Sequence, residues 1–332
     1  MAGLSMAELS AKSGMVTKQA ISKYEKGLMK PDSQVIIAFA KALNIKIDYF
    51  FRVSEIKVSN IEYRKRSKLT QKNQNIINQK IVFLLEKHFE IEQLLNIKNK
   101  FENPLNTNNV ACLENLEDIT QELRQLWALG EIPINHLTEV LVNKGIKIFE
   151  MDVDKKFDGL STFVSGVPII AFQSNMDLVR KRFTIAHELG HILLCFSDDI
   201  SEKQKEKLCN SFAGALLLPK NVIFQEIGNK RTKIAMWELK RLKGIYGLSI
   251  QAIMARAFHL GIISENTYKY FKMFFNKNGW KKNEPGDYNG IEKNNHFEKL
   301  VFYALLENII TLSKASELLD ISISDLKSKI EK

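Results

Sequence analysis

Between Phe183 and Leu194 the chain is almost wholly apolar, and the ionisable side chains that interrupt it are His187, Glu188 and His191. A run of this length without proline suits a buried helix better than a strand. Ionisable groups set into such a helix are costly to bury without a partner. Residues four apart stand on one helical face, so both imidazoles can point at a single cation. Nitrogen donors of this kind favour Zn²⁺, with Mn²⁺ or Fe²⁺ as alternatives. Glu188, on the same turn, can take a proton from a water held there. The competing interpretation is a core in which two histidines and a salt-bridged glutamate satisfy one another. Buried ionisable groups are rarely left unpaired, and a metal supplies the partner directly.

A catalytic zinc needs a third protein ligand and an open position. The following helix, expected from Ser201 to Leu218, offers Glu202 and Glu206. Glu206 shares a stripe with Cys209, Asn210 and Ala213, small residues that allow close approach, and is chosen as the third ligand. Glu202, near the helix start, suits the positive end of the dipole. Cys195, expected at the end of the first helix on the face of His187 and His191, is about 12 Å along the axis from His187, too far to share its ion. Cys195 and Cys209 read as small buried thiols, with a redox role near the metal as the alternative.

The N-terminal fifty residues have a different character. Ser5-Met6-Ala7-Glu8 is a capping box, Gly14 suits a left-handed helix end, and Thr17 can cap a second helix over Lys18–Lys26, which Gly27 ends. A third helix is expected over Val35–Leu43. A short helix, a glycine turn and a second short helix is the spacing of a helix-turn-helix, whose second helix enters the major groove of double-stranded DNA. The candidate DNA-contacting residues are Thr17, Lys18, Gln19, Ser22 and Lys23, while Ala20 and Ile21 face the core. A helical protein-docking module is the alternative. Charge agrees with a polyanionic partner: residues 1–100 hold eighteen Lys and Arg against nine Asp and Glu, so nearly the whole net charge of +10 lies there. Arg64-Lys65-Arg66 and Lys68 extend the basic stretch.

Elsewhere the period changes. Ile146–Phe149 and Val167–Phe172 are β-rich runs separated by Asp158-Gly159 and Ser165-Gly166 turn signals. Helices are expected at Leu116–Leu129 and Ile134–Asn143, a loop at Asn103–Asn109, and a Gly/Asn/Pro-rich break at Asn276–Asn295. The C-terminal segment reads as three helices, Phe297–Leu306, Ser313–Leu319 and Ser324–Ile330. With only Lys327 and Lys329 against Asp325 in the last, packing or a homodimer contact suits it better than reading DNA. The fold class expected is multidomain and mainly α, with a small β-sheet (α+β) around the metal site. No apolar run reaches the roughly 20 residues of a membrane helix, and no secretory signal pattern opens the chain. Three cysteines make no disulfide framework, so a cytoplasmic address is expected.

Two resemblances sharpen these expectations. Arg182-Phe-Thr-Ile-Ala-His-Glu-Leu-Gly-His191, followed by Glu206-Lys-Leu-Cys-Asn210-Ser-Phe212-Ala213 and Pro219, resembles the ImmA/IrrE family of metallopeptidases, over roughly residues 55–280. Phe157–Ser161 and Val167–Ile170 resemble its strand region. The resemblance implies zinc on His187, His191 and Glu206, with Glu188 as general base. It departs at Cys195, where a His often stands, and at Cys209, where Ala is usual. Leu4–Leu9 and Ile21-Ser-Lys-Tyr-Glu25-Lys-Gly27 through Lys30-Pro31 resemble the XRE/Cro class of repressor domains, which has a further helix ahead of the position of Gly3 and commonly Gln in place of Met6. The organisation implied is a helix-turn-helix over 1–52, its first helix missing, a helical connector over 53–104, a zinc metallopeptidase core over 105–225, a helical extension over 226–290 and a small helical segment over 291–332. The function implied is a DNA-binding transcriptional regulator whose zinc metallo-endopeptidase domain hydrolyses a peptide bond in a partner repressor. The alternative is a regulator whose metal domain is a non-catalytic sensor or scaffold.

Overall fold

The computed structural model describes residues 3–45, 47–51, 70–98, 100–105, 111–153, 157–281 and 283–331. The Arg64–Lys68 basic stretch, the first part of the connector and most of the Asn103–Asn109 loop lie outside the described residues. The chain divides into two compact units, one of residues 1–59 and 68–89, the other of residues 60–67 and 90–332.

The first unit is built from α1 (Met6–Ser13), α2 (Lys18–Glu25), α3 (Ser33–Leu43), a 3-10 turn (Ile47–Phe51) and most of α4 (Gln71–Leu94). Its helices begin where hydroxyl or carboxylate caps occur: Ser5 Oγ accepts from Glu8 N, Thr17 Oγ1 from Ala20 N and Asp32 Oδ1 from Val35 N. Gly14, at φ 65°, ends α1 in the left-handed conformation. Buried Ile21, Val35 and Phe39 form a small core, with Tyr24 set edge-on against Phe39. Ile76 of α4 lies against Gly3, and Phe83 against Tyr49.

The second unit continues through α5 (Leu116–Leu126), α6 (Leu137–Asn143), β1 (Lys147–Met151), β2 (Gly159–Val164), β3 (Val167–Gln173), α7 (Leu178–Leu193) and α8 (Glu202–Leu217). The sheet order is β1-β3-β2, with β1 parallel and β2 antiparallel to β3. Central β3 is buried along almost its whole length, as a strand paired on both sides and covered by helices should be. Ser165 and Gly166, both at positive φ, make the two-residue hairpin that joins β2 to β3. The other turn signal behaves differently: Gly159 opens β2, paired with Phe172. A Cβ there would lie 2.7 Å from Thr184 Cγ2, so glycine lets the strand approach α7. The fold is thus multidomain, mainly helical and α+β.

Around α7 and α8 one apolar core gathers Ile185, Leu189, Phe212, Ala213 and Leu216. It extends through α9 (Lys220–Ile227), α10 (Met236–Tyr246), α11 (Ile250–His259) and α12 (Glu265–Lys277). Beyond α12 the chain crosses back in irregular conformation, held by carboxylates at helix starts. Glu284 accepts from Ile250 N and Gln251 N, at 2.8 and 3.1 Å. Glu292 accepts from Leu137 N and Thr138 N, at 3.0 and 2.8 Å, and pairs with Arg182, both side chains being fully buried. This explains why α6 starts at Leu137 rather than Ile134. Finally α13 (His296–Leu306), α14 (Leu312–Leu319) and α15 (Ile323–Ile330) close a satellite core with Ile91.

Candidate functional site

Asp177 caps α7 through its side chain, and the helix then runs unbroken to Leu193. His187 and His191 therefore fall one turn apart, with their Nε2 atoms 3.3 Å from each other. Ser201 caps α8 in a reciprocal box with Gln204, which fixes the phase of that helix. One turn in, Glu206 brings Oε2 to 3.3 Å from His187 Nε2. One ligand atom from each of His187, His191 and Glu206 lies within 4.8 Å of the others, and among the described residues no other group of this kind occurs. Glu202, exposed in the first turn of α8, pairs with Lys205.

The donor set itself tests whether a cation fits. Ligands about 2.0–2.1 Å from a tetrahedral ion are separated by about 3.3 Å along each edge. The two separations from His187 Nε2, both 3.3 Å, have that length, and the three donor atoms all lie within 4.8 Å of one another. Two imidazole nitrogens and a carboxylate oxygen are also a donor set that suits Zn²⁺ and leaves a fourth position open. His191 is buried, whereas His187 and Glu206 are half-buried, so the cluster faces outward on one side.

Glu188 is 4% exposed. Its Oε2 accepts a hydrogen bond of 2.7 Å from Ser161 Oγ on β2. Gly159, two residues earlier and on the same face of the strand, would place a Cβ 3.5 Å from Glu188 Cγ. The strand thus supplies both a donor to the carboxylate and the space it occupies. Behind His191, Cys209 Sγ stands 3.2 Å from Nδ1. Cys195 is not on α7, because the helix ends two residues earlier; its carbonyl accepts from Ala111 N. The expectation that it shares the histidine face is corrected by that early end. Neither Ser161 nor the contact of Cys209 was anticipated from sequence, although the period of two from Gly159 carried a signal for Ser161.

Beside Glu206 a cleft of about 570 Å³ opens along α7, α8 and α11, with Phe183 and Leu260 as apolar lining and Lys203, Lys207 and His259 as polar lining. Desolvation, with Lys207 and Arg256 nearby, holds His259 below the ordinary histidine pKa.

In the first unit, Lys18, Gln19 and Lys23 are exposed on α2, and Ser22 is half-buried. Thr17 is exposed too, with its hydroxyl oxygen engaged at the helix start. Ile21 points into the core, while Ala20 is half-buried. The polar face of α2 is therefore open to a partner.

Residues 143–258 match the peptidase-family model described as the IrrE N-terminal-like domain, and residues 1–50 match the model described as helix-turn-helix. No curated relative matches the chain. Among the described residues no helix is long and apolar enough to cross a membrane. The segment with the His-His-Glu cluster is thus the segment that resembles IrrE, and the unit with the open basic helix is the one that resembles DNA-binding heads. The chain carries an XRE-type helix-turn-helix and an IrrE/ImmA-like metallopeptidase domain, the make-up of a DNA-binding transcription regulator.

Proposed function

We propose that this regulator is a zinc-dependent metallo-endopeptidase that hydrolyses a peptide bond in a partner repressor protein, in the cytoplasm. His187, His191 and Glu206 would hold the cation, and Glu188 would be the general base. The observation that carries the reading is the convergence of three donor atoms within 4.8 Å of one another, two of the separations being 3.3 Å, with a buried carboxylate on the same turn. A cation bound there supplies Lewis acidity, which lowers the pKa of a bound water towards about 7 and polarises a carbonyl.

The chain's own residues supply the rest. Glu188 accepts the proton of the attacking water and returns it to the leaving amine. Ser161 donates to Oε2 of Glu188 and so helps to orient the carboxylate that takes up the proton. The cleft beside Glu206 has room for side chains of an extended polypeptide, and Lys203 and Lys207 favour acidic ones. In the other unit, Lys18 and Lys23 would hold phosphates, while Gln19, Ser22 and Thr17 contact base edges or backbone. The C-terminal helices are read as a packing or homodimer element. The domain limits proposed are 1–52, 53–104, 105–225, 226–290 and 291–332.

The test is co-expression of the full chain with candidate repressors, scored for one discrete cleavage, together with metal analysis of the purified protein. Wild-type protein should carry about one zinc and cut. Glu188→Gln should keep the zinc and stop cutting. Cleavage by Glu188→Gln at the wild-type rate would remove the enzymatic reading. Regulation that survives the substitution unchanged would favour a metal domain that senses or scaffolds.

A further inference from the structure

The two ring nitrogens of His191 meet different partners: Nε2 faces His187 Nε2 at 3.3 Å, and Nδ1 faces Cys209 Sγ at 3.2 Å. We propose that Cys209 is a positioning residue that accepts the Nδ1–H of His191 and thereby sets the ring's tautomer and orientation for a divalent cation. The inference rests on the metal-centre reading above and deepens it.

Tautomer logic comes first. A neutral imidazole carries one ring proton. A ring that gives its Nε2 lone pair to a cation carries that proton on Nδ1, where it needs an acceptor. His191 is 3% exposed and Cys209 is fully buried, so water is a poor substitute. If the thiol donated to Nδ1 instead, the ring proton would sit on Nε2 and block ligation. The ligating state therefore has sulfur as acceptor.

Packing holds the sulfur in place. At Gly190, a Cβ would stand 3.3 Å from Cys209 Sγ, 3.4 Å from Cys209 Cα and 3.1 Å from Phe212 Cδ1. The missing side chain thus brings α8 close enough for the thiol to reach the ring. Direct ligation by sulfur does not fit, because Cys209 lies behind the ring and outside the group formed by His187, His191 and Glu206. Ligating histidines usually donate to a carboxylate or carbonyl. A thiol is a weaker acceptor, so it orients the imidazole without making it strongly basic.

The test uses the full chain and zinc itself, in competition with a chromophoric chelator. Cys209→Ala should weaken zinc binding by up to about 10-fold, the low end for an outer-shell partner, because the thiol is a weak acceptor. Cys209→Ser, which keeps an acceptor, should recover most of the loss, while thermal unfolding of the metal-free variants controls for packing. Wild-type Co²⁺ protein should lack a sulfur-to-cobalt charge-transfer band. Long-range ¹H–¹⁵N spectra of the zinc-loaded wild type, which need no variant, should show His191 protonated at Nδ1. Equal zinc affinity of Cys209→Ala and wild type, or protonation at Nε2, would overturn the proposal. A charge-transfer band lost in Cys209→Ser would also overturn it, by making sulfur a ligand. Wild-type protein that binds no zinc or Co²⁺ would instead remove the metal-centre reading beneath it.

Discussion

Glu188 is held by a strand that lies outside the segment His187–His191. Removing the Ser161 hydroxyl leaves the carboxylate buried with one hydrogen bond fewer. Ser161→Ala should therefore lower kcat with little change in zinc content, as steady-state kinetics and metal analysis would show. Gly159→Ala should be worse for the fold, because its Cβ meets Thr184 Cγ2 at 2.7 Å. Such overpacking costs about 1–3 kcal/mol, readable as a lower urea midpoint. His187, Glu188 and His191 were legible in sequence because their relation is local: four residues on one helix fix a face. Glu206 was legible from the small residues that share its helix. Ser161 and Cys209 were not, because their distances to Glu188 and His191 are set by how a strand and a second helix dock on α7. No local period encodes that docking.

At the level of elements, helix starts decide much of the architecture. Where the cap is local, as at Ser5, Thr17 and Ser201, the sequence announces it. Where the cap arrives from far along the chain, as Glu292 does at α6, the start cannot be read and is misplaced by three residues. Glu292→Gln would leave the Arg182 guanidinium buried without its counter-charge. Loss of one partner of such a pair costs roughly 3–5 kcal/mol, so thermal unfolding should shift sharply downward. His296, at the start of α13, is held below the ordinary histidine pKa by desolvation first and then by Lys147. The folded chain therefore binds fewer protons there than the unfolded chain. This contribution to stability is complete above the unfolded value of about 6.5 and is lost as pH falls through the lower folded value. Urea midpoints from pH 7.5 to 5 should fall less steeply in His296→Gln than in wild type.

For the molecule as a whole, charge and chemistry are segregated: the basic excess lies in the first hundred residues and the His-His-Glu cluster far from it in sequence. Lys18→Ala or Lys23→Ala should weaken operator binding uniformly across sequences and reduce the logarithmic salt slope by about 1 each. Titration at several salt concentrations measures this, and zinc affinity should not change. The irregular crossing after α12 has one more implication. Glu284 and Glu292 lie past the end of the segment that matches the peptidase family, yet they close the starts of α11 and α6 and neutralise Arg182. A fragment trimmed at 258 would leave the start of α6 uncapped, α11 with only its local Ser249 cap, and Arg182 without its counter-charge. It should melt at a lower temperature than the full chain, and inactivity in such a fragment would say nothing about the activity proposed for the full chain.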